Sequence, residues 1–340
     1  MRESDDQDNR SESLHDAFRN RRILITGGLG FIGSNLARRL VELEANVLLV
    51  DNLSADHGGN LFNVSDFAKK VQIKIFDIRE LKGLQEFVRD QHYLFNLAGQ
   101  TSHIDSMNDP FSDLEINCRG QLSILEACRR FNRDIKIVFA STRQVYGKPR
   151  TLPVGESHPL NPVDINGINK MTGEWYHLLY YRVYGIRSCV LRLTNTIGPR
   201  MRIKDPRQTF LGFWIRLLLE NRPFEVWGGE QVRDFTYIDD AVEAFLLAAA
   251  NEGSSGEVLN LGGKDHLSLK DLAKLLVAVN GGGSYTVVPF PADRKQVEIG
   301  DFYADFSRIR SLLHWEPHIS LRLALAQTLE YFHENLKNYV

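Results

Sequence analysis

The chain has 340 residues, 43% of them hydrophobic and 25% charged, a balance that supports a large buried core and excludes a disordered or low-complexity polypeptide. Lys and Arg total 41 against 43 Asp and Glu, so no basic excess recruits nucleic acid and no polybasic cluster recruits anionic lipid. Three cysteines, Cys118, Cys128 and Cys189, lack metal-ligand spacing, which points to buried reduced thiols, no metal site and a cytoplasmic protein.

Residues 1–20 are polar and read as a mobile N-terminal tail. From Arg21 onward short apolar runs (ILIT, VLLVD, VQIKIFD, YLFNLAG, KIVFAST, SCVLRLT) alternate with amphipathic stretches, the last of them a long helix from about Asn166 to Tyr184. Strands alternating with helices predict an α/β fold with a doubly wound parallel sheet, covered on both faces. Beyond Gly198, segments rich in Pro and Gly interrupt isolated helices and short strands, as in a smaller α+β lobe over the carboxyl ends of the strands. The helix at Asp239–Ala250 and the strand GEVLNLG are expected to return to the first domain. The division is therefore 21–198 with returning segments at about 236–261 and 304–315, a lobe of 199–235 and 262–303, and a C-terminal helix in 316–340. The apolar stretch Ala241–Ala250 is too short to cross a bilayer.

Between the first strand and its helix lies Thr26-Gly27-Gly28-Leu29-Gly30-Phe31-Ile32-Gly33. Gly27 permits a tight turn, Gly30 lets backbone approach a pyrophosphate, and Gly33 allows close packing of helix on sheet. Asp51 ends the next strand, followed by Asn52, where a carboxylate accepts hydrogen bonds from an adenosine ribose and repels a 2′-phosphate. NAD is the expected cofactor. Asp77, followed by Ile78, is a candidate contact to the adenine or an ordinary strand-terminal Asp.

TGGLGFIGSNLA, NLAGQ, ASTRQVYG, LRLTNTIGPR and VWGGEQVRDFTYIDD occur in that order, and from about Arg21 to Tyr331 the chain resembles the extended short-chain dehydrogenase/reductases, the nucleotide-sugar epimerase and dehydratase family. The resemblance implies a Rossmann fold, bound NAD and a nucleotide-diphosphate sugar as substrate. It places Leu97, Ala98 and Gly99 beside the cofactor and gives Thr142 the sugar hydroxyl that is oxidised. It gives Lys170 the nicotinamide ribose and, through TSHIDS, sets His103 and Ser106 beside the sugar. Asn195 and Arg233 match positions that contact the diphosphate, with Arg200 and Arg202 as candidate additional contacts. Two helices, in FSDLEINCRGQLSILEACRRF and 166–184, resemble those that pair in a four-helix homodimer contact.

Two departures carry information. The family's catalytic tyrosine lies four residues before the lysine, and Asn166 stands there. A carboxamide is neither a useful acid nor a base at neutral pH. A substitute base, a reaction that asks less of the phenol, or a protein that binds without turnover each accommodates the change. His103 is the first candidate substitute, and Asp164 and Glu174 are weaker ones, with Glu174 read as a solvated or capping charge. Sugar 4,6-dehydratases of the family carry Asp-Glu after the threonine where this chain has Arg143-Gln144, which disfavours elimination and leaves epimerisation, at C4, as the simplest reading. Reduction of a keto sugar, an unusual dehydration, and a catalytically idle NAD or sugar-nucleotide binder are the rival readings. Trp227 and Phe235 read as core packing, with stacking on a base as the alternative, and Glu298 and Arg294 have no assigned role.

Overall fold

The computed structural model describes residues 2–54, 58–292 and 297–340, with side chains from Arg10 onward. Six strands form in the first part of the chain: β1 (Arg22–Thr26), β2 (Asn46–Asp51), β3 (Gln72–Ile75), β4 (Tyr93–Asn96), β5 (Lys136–Thr142) and β6 (Ser188–Leu193). Then come β7 (Asn195–Ile197), β8 (Phe224–Trp227), β9 (Val232–Tyr237), β10 (Val258–Leu261), β11 (His266–Ser268) and β12 (Tyr285–Val288). The large sheet runs β10-β6-β5-β4-β1-β2-β3, and every pairing in it is parallel. Parallel neighbours need crossovers, and helices supply them on both faces. All six residues of β6 are buried, as a strand covered on both sides requires.

One core lies between the sheet and the helices Phe31–Glu42 and Ile238–Ala250, and it continues into the small lobe. The other lies under Leu81–Val88, Gln121–Phe131 and Ile165–Tyr184. The three cysteines are buried and unpaired, and burial pushes the thiols up, to about 11 for Cys118 and about 12 for Cys128 and Cys189. In the small lobe β7 pairs with β9 and β9 with β11, while β8 pairs with β12. No helix among the described residues is long and apolar enough to cross a membrane.

The strand order reverses at β1, with β2 on one side and β4 on the other, so the crossovers diverge and leave a crevice at the carboxyl ends. Buried side chains tie those ends together: Thr26 Oγ1 donates to Asn96 Oδ1 at 2.8 Å, and Asn96 Nδ2 donates to Gln121 Oε1 at 2.7 Å.

The expectation of a mobile N-terminal tail needs correction. Arg2–Phe18 is a helix, and Leu14 and Phe18, one turn apart, are buried. The Phe18 ring sits 5.1 Å from Tyr93 and 6.5 Å from Phe95, and Arg10 pairs with Glu243 at 3.2 Å. Two apolar anchors dock a helix whose average composition is polar, because only the inward stripe needs apolar residues.

One helix face lacks a covering. Ile168 (42% exposed), Trp175 (51%), Leu179 (46%) and Val183 (58%) form a stripe along Ile165–Tyr184, beside Phe111 and Leu114. Phe18→Ala is expected to lower stability in urea denaturation by about 3–5 kcal/mol, the usual cost of removing a buried aromatic ring. An unchanged midpoint would show that the N-terminal helix contributes nothing to the core.

Candidate active site

The turn after β1 is shaped for an anion. Gly27 has φ +68°, a left-handed conformation that suits glycine. A Cβ on Gly33 would meet Gly27 O at 2.3 Å, so only glycine lets the helix Phe31–Glu42 start this close to the strand. Gly30 caps that helix without a side-chain bond, which leaves the first-turn N–H groups available. Asp51 accepts from Leu29 N at 3.1 Å and Leu53 N at 2.9 Å; burial pushes its carboxyl up while these N–H groups oppose the rise. Asp77 is engaged bidentately by Arg79, at 2.9 and 2.6 Å, which holds its carboxyl down at about 2, and it accepts from Asn52 at 3.0 Å. Phe31, Ile32, Asn52, Ile78, Leu97, Ala98 and Gly99 border the same crevice, a cleft of about 830 Å³. A Cβ on Gly99 would lie 3.1 Å from Lys170 Nζ, so the missing side chain gives the lysine its room.

Lys170 and Asn166 come from the helix Ile165–Tyr184, and Thr142 from the end of β5, all on the cleft wall. Lys170 Nζ donates to Ala140 O at 2.8 Å and lies 4.9 Å from the centre of the Phe139 ring. Burial pushes the ammonium down to about 8, against the pull of Asp113 and Glu174. Asn166 is held elsewhere. Its Nδ2 donates to Gln100 O at 2.8 Å and to Asp113 Oδ2 at 3.0 Å, while Asn117 and Asn169 donate to Asp113 Oδ1 at 3.0 and 2.8 Å. Three amides thus satisfy a wholly buried carboxylate, and the position expected for a tyrosine belongs to that network.

His103 meets Asp164. Nδ1 lies 3.0 Å from Asp164 Oδ2, and Nε2 lies 2.9 Å from Gln144 Nε2. Since an amide NH₂ can only donate, Nε2 is the acceptor in that contact, and Nδ1 faces the Asp164 carboxylate. Asp164 also caps the helix through Gly167 N at 2.6 Å. Burial pushes its carboxyl up, but His103, the Gly167 N–H and the field of Arg143 bring the balance below the ordinary value. Gln144 N donates to Thr142 Oγ1 at 3.3 Å, so threonine, glutamine, histidine and aspartate form one chain of contacts. Gln144 had no signal of its own, and the Asp164 partnership joins residues 61 positions apart.

Several sequence expectations change. Glu174 is neither solvated nor a cap; it is buried in a bidentate pair with Arg192 on β6, at 2.9 and 2.6 Å, and accepts from Ser141. Arg200 does not border the cleft; its guanidinium is consumed by Asn63 O at 2.8 Å, Asn35 Oδ1 at 2.9 Å and Asp66 at 3.3 Å. Ser106 also lies off the cleft, where its hydroxyl donates to His103 O at 2.8 Å and accepts from Asn166 N at 3.3 Å. Asn195 borders the cleft and donates to Asp234 O at 2.9 Å. Arg233 borders it too, with Glu298 as its carboxylate at 2.8 Å, and Arg202 pairs with Asp205 at 2.7 Å. Trp227 is on the wall and Phe235 in the core, while Arg294 lies outside the described residues.

Residues 23–262 match the NAD dependent epimerase/dehydratase family. The chain is 34% identical over 316 residues to the putative UDP-glucose 4-epimerase of Methanocaldococcus jannaschii, covering 92% of this chain and 99% of that one. Among solved structures it resembles the UDP-glucose 4-epimerase of Thermotoga maritima with UDP-glucose, at 30% identity and TM-score 0.84 over 93% of this chain and 99% of that one. It also resembles the UDP-glucuronic acid 4-epimerase of Bacillus cereus in complex with UDP-glucuronic acid and NAD, at 26% identity and TM-score 0.82 over 92% and 99%. A dinucleotide cradle at the switch point of a seven-stranded parallel sheet, matched over most of its length, places this chain in the NAD dependent epimerase/dehydratase family.

Proposed function

We propose that the protein is an NAD-dependent epimerase of a nucleotide-activated sugar, inverting C4 through a transient keto sugar. The observation that carries this reading is one cleft holding both the glycine cradle and the cluster of Thr142, Lys170 and His103. Relatives named as 4-epimerases support the reaction. Arg143 and Gln144, where dehydratases carry an acidic pair, speak against elimination. Residues 21–198, with 236–261 and 304–315, are assigned to the cofactor, and 199–235 with 262–303 to the sugar nucleotide.

The glycine cradle and Asp51 fit NAD. NAD held there would supply a reversible hydride acceptor for the sugar carbon. Asp51 takes the adenosine ribose hydroxyls and repels a 2′-phosphate, which favours NAD over NADP. Lys170 holds the nicotinamide ribose, Thr142 orients the reacting hydroxyl, and Asn195 and Arg233 receive the diphosphate. His103 Nε2 takes the hydroxyl proton as the carbon loses its hydride, and gives it back on return. Asp164 holds the ring and stabilises the imidazolium formed. Asn166 keeps Gln100 and Asp113 in place and moves no proton.

The exposed apolar stripe on Ile165–Tyr184 supports a homodimer through a four-helix contact, since a lone protein rarely leaves so continuous a stripe in water. Buried unpaired thiols support a reducing compartment, the cytoplasm.

Two outcomes are expected. His103→Ala lowers kcat by roughly 10²- to 10⁴-fold, the usual worth of a positioned acid/base, while NAD stays bound; Asp164→Asn gives a smaller loss in the same direction. Unchanged turnover in His103→Ala would remove the histidine from the mechanism. In light scattering at micromolar concentration the native chain has the mass of a dimer, and Trp175→Glu with Leu179→Glu reduces it to a monomer. A monomeric native chain would contradict the dimer.

A further inference from the structure

Among the described residues five arginines border the cleft, and four have a carboxylate partner: Arg202 and Arg207 share Asp205, Arg222 pairs with Glu220 and Arg233 with Glu298, at 2.7 to 3.0 Å. Arg143 differs. Among those residues its guanidinium has no ion pair, and Nη1 is shielded from water without a hydrogen-bond partner. The guanidinium lies over the ring of Phe302, 5.4 Å from its centre, and that ring is wholly buried. A flat support of this kind fixes the plane of the fork, which then presents its N–H groups in a set direction.

The charge is costly where it stands. Burial pushes the Arg143 guanidinium down to about 9 and the field of Arg233 adds to this, with Asp234, Glu298 and Asp164 opposing. A half-buried guanidinium whose shielded Nη1 has no partner among the described residues carries a desolvation cost, and an incoming anion relieves that cost. The position of the group selects the anion. Arg143 follows Thr142 directly, with consecutive Cα atoms about 3.8 Å apart, and its other neighbour, Gln144, lies 2.9 Å from His103. The free charge therefore stands beside the groups assigned to the reacting hydroxyl, at the sugar end of the cleft.

Building on the epimerase reading, we propose that Arg143 receives a carboxylate carried by the sugar, which makes the substrate class a nucleotide-linked acidic sugar, a hexuronate being the simplest member. A carboxylate accepts two parallel N–H bonds from the guanidinium, whereas a neutral hydroxymethyl group leaves its positive charge unpaired. Discrimination then arises from the penalty on the neutral sugar as well as from the bonds to the acidic one.

Calorimetric titration of the NAD-loaded protein tests this. UDP, dTDP, GDP and CDP are titrated first, and the tightest defines the nucleotide of a hexose and hexuronate pair. The native protein is expected to bind the hexuronate about 10- to 100-fold more tightly than the hexose, the scale of a buried charge-assisted contact. Arg143→Leu erases the preference and Arg143→Lys retains part of it, while the Kd for the nucleoside diphosphate stays unchanged in both and so reports an intact fold. Equal affinity of the native protein for hexose and hexuronate would overturn the proposal. So would an Arg143→Leu variant that loses as much affinity for the nucleoside diphosphate as for the hexuronate, which would assign the charge to the diphosphate. Tight, Arg143-dependent hexuronate binding without inversion of any sugar carbon would sustain the carboxylate site and overturn only the epimerase reading.

Discussion

The helix Ile165–Tyr184 supplies Asp164 at its cap, Asn166 in its first turn and Lys170 one turn later, so the site depends on how that helix is seated. Its seat is the buried pair between Glu174 and Arg192. Ser141 on β5 is the register partner of Arg192 on β6 and donates to the same carboxylate, so one charge ties the helix to two strands. Arg192 also donates to the Tyr146 hydroxyl at 2.8 Å, which in turn donates to Asn260 on β10 at 2.6 Å. Such a pair adds little stability relative to a well-packed apolar alternative, but loss of one partner leaves an uncompensated buried charge. Its effect here is positional, since a sliding apolar contact would leave the height of Lys170 above Ala140 undefined.

Around that anchor the polar groups divide by satisfaction. Asp113 is saturated by three amides and fixes the wall beneath the cleft. His103 sets Nδ1 3.0 Å from a buried carboxylate and Nε2 2.9 Å from the Gln144 amide, and the residue borders the cleft. Asn166, where the resemblance implies a phenol, thus shares the cleft wall with an imidazole set against a carboxylate. Arg143 extends the contrast, as a cation bordering the cleft whose Nη1 has no hydrogen-bond partner among the described residues.

The parts legible in the sequence are those whose reasons are local. Gly27, Gly30 and Gly33 act through spacing within one turn, and Asp51 through its place at the end of a strand, so both could be read directly. Strand and helix alternation likewise carries the parallel sheet. What escaped depended on partners distant in the chain. Arg200 resembles a loop cation waiting for phosphate, yet Asn35, Asn63 and Asp66 from the other side of the fold consume it. Glu174 looks like a surface charge until Arg192, on a strand, comes beneath it. The N-terminal helix is polar on average, and only Leu14 and Phe18 carry its docking. His103 was singled out by its segment, but Asp164 as its partner required the fold.

The proposed inversion removes hydrogen from the sugar carbon and returns the same hydrogen to the other face. A nucleotide-linked sugar deuterated at C4, incubated with the NAD-loaded protein in ordinary water and followed by NMR and mass spectrometry, tests it directly. The expected product is an epimer that keeps its deuterium at the inverted carbon, with no net accumulation of NADH. Inversion with deuterium washed out to solvent would contradict it, as would a complete panel of nucleotide sugars left unchanged.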